Sequence, residues 1–363
     1  MNDHSYQSLT PKELTEKLRA FPKVELIHTP TPFHKLERLS RDLDGPEIFI
    51  KREDMTGLGF GGNKSRKLEY IIPDMLAKKA DVVITYASLQ SNWCLQTAAA
   101  ARKFGLIPLL ILFRTHDLPS EFDGNLLLDH ILGARIRIKD GGPGKFIDES
   151  ALEEALDEAL NEVREWGHTP YVAPVGGSMP GGDMDRPLGA LAYVDAFLEM
   201  HEQADSMGVG PVDYVIHATG SGGTQAGLAV GARLVGQGTR VLGISVIEEA
   251  EVFRRDVLSI VRDTEKALGV ETGLETEDIL VLDEYIKEGY GIVDRDVAEA
   301  VRRMAVLEGI FIDPVYTGKA FVALRDLVGK GYFKPTDRVV FMHTGGTPAL
   351  FPSKSRFTEL LSG

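Results

Sequence analysis

Cysteine is almost absent from this chain. A single one, Cys94, stands among 363 residues. One thiol cannot close an intrachain disulfide, and it cannot supply a cysteine-based zinc site. Long apolar runs are missing as well. The longest, 106–113, contains a proline and falls far short of the about 18 residues needed to span a bilayer. Positive charge is in deficit: Lys plus Arg is 40 against 54 for Asp plus Glu, a formal net charge of −14. A chain this acidic lacks the basic footprint of a nucleic-acid binder and is repelled by an anionic membrane surface. The first five residues show no basic region followed by an apolar core, so no secretory signal is expected. These absences describe a soluble, cytoplasmic protein with neither a nucleic-acid nor a membrane partner. Its substrate is left open, because one local site can still be positive.

What is present is the balance of a folded protein, 43% hydrophobic and 26% charged, which excludes general disorder. The length exceeds one compact domain, so two lobes are expected. Short β-branched runs at 48–51, 82–86, 109–113, 135–139, 214–218, 240–246 and 338–343 predict strands. Helical stretches lie between them at 63–79, 91–104, 149–166, 225–234 and 294–308. This alternation predicts an α/β fold of parallel sheets flanked by helices. Leu152, Leu156, Leu160 and Val163 recur at helical spacing, so the acidic run 153–162 reads as a solvated helix face rather than a metal site. The Gly- and Pro-rich stretch 175–186 reads as a linker between lobes, with a second crossing near 57–62. The segment 263–283 is acidic and weakly patterned, and it predicts no element.

Five clusters have chemical potential. The first is Gly57-Leu58-Gly59-Phe60-Gly61-Gly62-Asn63-Lys64-Ser65-Arg66-Lys67. Glycines admit a ligand close to the backbone, and the helix start beyond them favours an anion. Asn63 separates Gly62 from Lys64, so this is not a Walker A loop. A plain turn before an amphipathic helix accounts for the spacing equally well. The second is Thr219-Gly220-Ser221-Gly222-Gly223-Thr224 between a strand and a helix, an order that offers free N–H groups to a phosphate. Gln225 stands where a dinucleotide fingerprint needs glycine, so a monophosphate fits better than a pyrophosphate. A tight turn needs fewer glycines than this loop holds.

The third cluster is Ser88-Leu89-Gln90-Ser91-Asn92, whose polar side chains suit a carboxylate but are also ordinary helix caps. Asp313-Pro314-Val315-Tyr316-Thr317-Gly318-Lys319 and His343-Thr344-Gly345-Gly346 complete the set. His343 has the chemistry of a base, although a histidine at a strand end is more often structural. A lysine on a glycine loop and a monophosphate cradle point together to pyridoxal 5′-phosphate (PLP). It is an aldehyde with one phosphate, and the electron sink of amino-acid chemistry.

From 21 to 351 the chain resembles the 1-aminocyclopropane-1-carboxylate (ACC) deaminase and D-cysteine desulfhydrase family. These are two-lobed PLP enzymes of fold type II, built like the tryptophan synthase β-subunit. The motifs carrying the resemblance are Gly61-Gly62-Asn63-Lys64-Ser65-Arg66-Lys67-Leu68-Glu69 and Gln90-Ser91-Asn92, supported by Asp313-Pro314-Val315-Tyr316 with Gly318-Lys319. The resemblance implies that Lys64 carries the cofactor as a Schiff base, with Asn92 at the ring hydroxyl. The loop Thr219, Gly220, Ser221, Gly222, Gly223 and Thr224 would hold the phosphate. Ser91 would lie near the substrate's α-carbon and carboxylate, with Gln90, Asn92 and Trp93 also lining the substrate. Tyr290 and Tyr316 match two active-site tyrosines of the family.

Two positions separate its branches. The deaminases carry Glu where Thr317 stands, facing the pyridine nitrogen, and an apolar residue where Thr344 stands. Threonine offers that nitrogen only a neutral hydrogen bond. The resemblance therefore implies α,β-elimination on a small β-substituted amino acid, D-cysteine desulfhydrase-like, releasing pyruvate and ammonia. ACC deamination, a cysteate-type sulfo-lyase and a non-catalytic PLP-binding protein are the alternatives. Trp93-Cys94-Leu95 departs from the desulfhydrase pattern, which has His and often Arg at the first and third of these places. Residues 181–186 look like an insertion. The expected architecture is a large domain of 1–66 with 179–363, and a small inserted domain of 67–178. A homodimer is the family's implication.

Overall fold

The computed structural model describes residues 7–115, 122–141 and 148–361. The reading of the first five residues lies outside them. Ten strands form two sheets among these residues: β1 Phe33–Lys35, β2 Glu47–Lys51, β3 Val82–Ser88, β4 Ile107–Arg114, β5 Arg135–Asp140, β6 Pro170–Val172, β7 Tyr214–Thr219, β8 Arg240–Ser245, β9 Leu280–Leu282 and β10 Arg338–Met342. The larger sheet has the order β1-β2-β10-β7-β8-β9, and the smaller β5-β4-β3-β6. Every pairing is parallel except β1 with β2. The expected α/β class with parallel, helix-flanked sheets is therefore the observed one.

Burial explains the strand composition. All residues of β4 from Pro108 to Phe113 are buried, as a parallel strand covered on both faces requires. One continuous core joins the sheets, including Phe49 and Val340 from the larger and Val83 and Leu110 from the smaller. Helix Leu188–Ser206 packs on helix Gly223–Val235 through small residues. A Cβ on Gly227 would lie 2.1 Å from the Ala190 carbonyl oxygen, so only glycine allows this approach.

Helix Asn63–Ala77 leaves the larger sheet and leads to the smaller one. Pro73 sits inside it and lacks the N–H that would bond Glu69. The Glu69 carbonyl instead accepts from the Val24 N–H at 3.0 Å. The Glu69 carboxylate accepts from the Leu26 and Ile27 N–H groups, so one residue anchors the incoming chain twice.

The stretch 175–186 is more ordered than a bare linker. Asp183 exchanges hydrogen bonds with the Val172 backbone, and Met184 is buried. Lys78, just past the helix Asn63–Ala77, pairs with Asp185 at 3.0 Å. A helix of this length spans about 20 Å. The 181–186 segment is thus held at the opposite end of the helix from Lys64. The unassigned region 263–283 holds the end of helix Ala250–Leu268, a single turn at Thr276–Asp278 and β9.

Candidate active site

Lys64 is the second residue of helix Asn63–Ala77, and the loop before it is rigid by construction. Gly61 has φ +76°, and a Cβ there would lie 1.7 Å from the Asp54 carbonyl oxygen. Thr56 Oγ1 accepts from the Gly62 N–H at 2.9 Å. Inside the first turn, Arg66 meets the Glu53 carboxylate with two bonds of 2.7 Å, both groups being buried. Ser65 donates its N–H and hydroxyl to Gln96 Oε1. Asn63 donates its N–H to the Thr344 carbonyl at 3.0 Å and its amide to Thr224 Oγ1 at 3.2 Å. Lys64 therefore emerges between the loop after β7 and the loop after β10. It keeps an opening to solvent, but the surrounding protein pushes its amine down to about 8. It makes no hydrogen bond or ion pair among the described residues. An amine so poised is a competent nucleophile and base near neutral pH.

The loop after β7 is a fitting anion cradle. Gly222 has φ +76°, and the loop delivers the chain into helix Gly223–Val235, whose first N–H groups carry partial positive charge. Thr219 Oγ1 is buried with no hydrogen-bond partner among the described residues. Ser221 Oγ lies 2.9 Å from Ser178 Oγ. A Cβ on Gly223 would sit 2.6 Å from that same Ser178 oxygen. Lys67 is fully buried, 3.5 Å from Ser178 Oγ, with no carboxylate bonded to it. Burial, and then the neighbouring Lys64, push its amine well down. A lysine with no carboxylate bonded to it among the described residues, an unpaired hydroxyl and a helix N-terminus together fit a phosphate ester. With Lys64 for an aldehyde, the donor set suits PLP. The sequence reading placed Lys67 in the first cluster but gave it no role; the available signal was its place one helical turn beyond Lys64.

The third cluster divides. Ser91 caps helix Asn92–Lys103, its Oγ accepting from the Cys94 N–H at 3.2 Å. Gln90 faces the start of helix Gly124–Ile131: its Oε1 accepts from the Asn125 N–H at 2.8 Å and its Nε2 donates to the Asp123 carbonyl at 3.0 Å. Trp93 is turned into the core, where its indole N–H donates to Thr85 Oγ1 at 2.6 Å. Its one donor is therefore satisfied within the protein. Leu95 is buried beside it in sequence.

A chain of three hydroxyls spans the sheets. Ser88 Oγ, at the end of β3, lies 3.2 Å from Tyr290 Oη, which lies 2.5 Å from Tyr316 Oη. Tyr316 borders the glycine loop: a Cβ on Gly220 would be 3.7 Å from its ring. Asp313 shapes the turn that presents Tyr316, accepting from the N–H groups of Val315, Tyr316 and Thr317. Thr317 Oγ1 donates to the same carboxylate at 2.6 Å, so its hydroxyl serves the turn rather than a ring nitrogen. Thr344 is buried behind Asn63. Lys319 donates to the carbonyls of Ile286 and Gly289, fastening the segment before Tyr290. His343 is structural: Nε2 bonds the Phe311 carbonyl, and Nδ1 accepts from the Gly345 N–H.

Known proteins resemble this chain in sequence and fold. The model of the family described as pyridoxal-phosphate dependent enzyme matches residues 24–345. The chain is 38% identical to the ACC deaminase of Mesorhizobium japonicum, over 92% of this chain and 97% of that one. It is 39% identical to the D-cysteine desulfhydrase of Klebsiella pneumoniae, over 93% and 97%. A crystal structure of an ACC deaminase homologue superposes with TM-score 0.84 at 36% identity, covering 96% and 99% of the two chains. A threonine deaminase from T.th. shares the fold at TM-score 0.62 and 18% identity, covering 93% and 98%. This chain belongs to the PLP-dependent enzymes, in the family of the ACC deaminases and D-cysteine desulfhydrases.

Proposed function

We propose that the enzyme eliminates the β-substituent of a small amino acid, D-cysteine foremost, giving pyruvate, ammonia and the leaving group. The observation that carries this reading is the Thr317–Asp313 bond of 2.6 Å. The resemblance assigns position 317 to the ring nitrogen. Here its hydroxyl is spent on Asp313, and Thr344 brings only a neutral oxygen. Position 317 therefore brings no carboxylate of its own to favour a protonated ring, and a good leaving group needs the least help from one. When bound, PLP supplies the aldehyde that captures the substrate amine and the ring that withdraws electrons from the α-carbon.

The chain's own residues divide the remaining work. Lys64 Nζ takes the α-proton, as an amine held near neutrality by burial can. Tyr316 and Tyr290, sharing one hydrogen bond, hold the proton that the leaving group takes with its electron pair. Ser91 and the N–H groups at its helix start receive the substrate carboxylate. Lys67 and the loop from Thr219 to Thr224 hold the phosphate. The lobes divide at 67 and 178. A cytoplasmic homodimer is included in the proposal; the single, buried thiol of Cys94 suits a reducing compartment.

A second reading is ring-opening deamination of ACC, favoured by the named relative from Mesorhizobium. Incubating the PLP-loaded enzyme with D-cysteine, L-cysteine and ACC separates them. Pyruvate and sulfide released selectively from D-cysteine are expected. A four-carbon 2-oxo acid formed faster from ACC would overturn the elimination reading.

A further inference from the structure

Asn125 lies outside every motif discussed above, on helix Gly124–Ile131, and is fully buried. Its Nδ2 lies 2.8 Å from the Gln90 carbonyl oxygen and 2.8 Å from Asn92 Oδ1. The first of these contacts decides the second. A backbone carbonyl can only accept, so the Asn125 atom facing it must be the amide nitrogen. The Asn92 atom facing that nitrogen must then be its oxygen, since two NH2 groups repel. The NH2 of Asn92 is thereby turned the other way, toward Gly346. A Cβ on Gly346 would lie 2.9 Å from that nitrogen, and φ there is +97°. Gln90 holds Asn125 in place, accepting the Asn125 N–H at 2.8 Å and donating to the Asp123 carbonyl.

We propose that Asn125 is a positioning residue that fixes the polarity of Asn92, so that an N–H and not a carbonyl faces the oxygen on the cofactor ring. The proposal rests on the assignment of Asn92 to the ring hydroxyl. A phenolic oxygen carrying negative charge is stabilised by a donor and repelled by an acceptor. Among the described residues, Asn125 makes the hydrogen bond that distinguishes the two ends of the Asn92 carboxamide. An aspartate at 125 keeps the shape but accepts only, so it reverses Asn92 and turns the carbonyl toward the ring.

The test loads PLP onto Asn92→Ala, Asn125→Ala, Asn125→Asp and the double variant Asn92→Ala/Asn125→Ala. The readouts are the PLP dissociation constant and the pH at which the visible absorption band of the bound cofactor changes. Both are properties of the folded fraction alone. Asn125→Ala is expected to weaken PLP about tenfold, the worth of one hydrogen bond to a charged group. Asn125→Asp sets an acceptor against the Gln90 carbonyl as well, so its folding is checked by circular dichroism before loading, and it is expected to move the band's titration further than Asn125→Ala does. The double variant should match Asn92→Ala. Changes that simply add in the double variant, or an unmoved band in both Asn125 variants, would overturn the proposal. If Asn92→Ala itself leaves band and affinity unmoved, the assignment of Asn92 fails and the proposal falls with it.

Discussion

Asn63 and Thr224 stand 161 positions apart and share a hydrogen bond of 3.2 Å. It ties the residue before Lys64 to the last residue of the glycine loop. The same Asn63 gives its N–H to Thr344. One side chain and one amide thus fix the amine relative to both loops that border it. The proposed chemistry depends on that triangulation.

Removing Lys64 should abolish function without unfolding the chain. Lys64→Ala is expected to lose the visible band of bound PLP and to lower turnover by orders of magnitude. The apoprotein should melt no lower than wild type, because a desolvated amine without a partner is lost. Absorption spectra, turnover and calorimetry together check this.

Cofactor capture should titrate with Lys64. The neutral amine is the reactive form, and burial lowers it from 10.5 to about 8. The rate of PLP uptake by apoprotein should therefore climb as the pH rises and level off above about 8. Stopped-flow uptake across about pH 6–11.5, with exogenous buffer ions held constant, gives the midpoint. A midpoint near 10.5 would mean the amine is solvated.

The tyrosine pair should matter for turnover and not for loading. Tyr290→Phe and Tyr316→Phe are each expected to cost about 10²–10⁴-fold in kcat while the bound cofactor's band persists. Ser88→Ala, at the longer 3.2 Å contact, should cost less.

Gly346→Ala probes the wall opposite Asn125. The new Cβ would lie 2.8 Å from Asp313 Cγ and 2.9 Å from Asn92 Nδ2, at φ +97°. Strain of about 1–3 kcal/mol follows. PLP retention is expected to drop, as measured by equilibrium dialysis.

The anchor beneath Lys64 should govern acid stability. Arg66 and other partners hold the buried Glu53 carboxyl at about 2, below its ordinary 4.5. A depressed folded value means this stabilisation is complete above 4.5 and is lost as the pH falls toward 2. Glu53→Gln is expected to cost about 3 kcal/mol in urea unfolding at neutral pH, because Arg66 stays buried with Glu199 alone. The variant should also lose stability less steeply below pH 4.5.

Much of this was legible in the sequence. β4 shows as an unbroken apolar run from Ile107 to Phe113 because both faces are covered. β1, β6 and β9 have only three residues each, too few for a period to appear. The first two-thirds of helix Leu188–Ser206 is buried on nearly every side, so only a narrow polar stripe marks it. In the site, the glycine-rich loops marked 57–67 and 219–224 as candidates, and the resemblance supplied the role expected of Lys64. The roles of Gln90 and Asn125 were hidden, since they depend on which helix packs against the β3 loop. Thr317 was legible as a threonine, but its bond to Asp313 depends on how the turn closes.

The central claim is that Lys64, and no other lysine, holds the cofactor. Lys51, Lys67 and Lys319 are also largely enclosed and lowered by burial, so the alternatives are real. Borohydride reduction of the PLP-loaded enzyme makes any lysine attachment permanent, and peptide mass spectrometry locates it. The account predicts one labelled peptide with the tag on Lys64. A tag on Lys67, or on any other lysine, would contradict it.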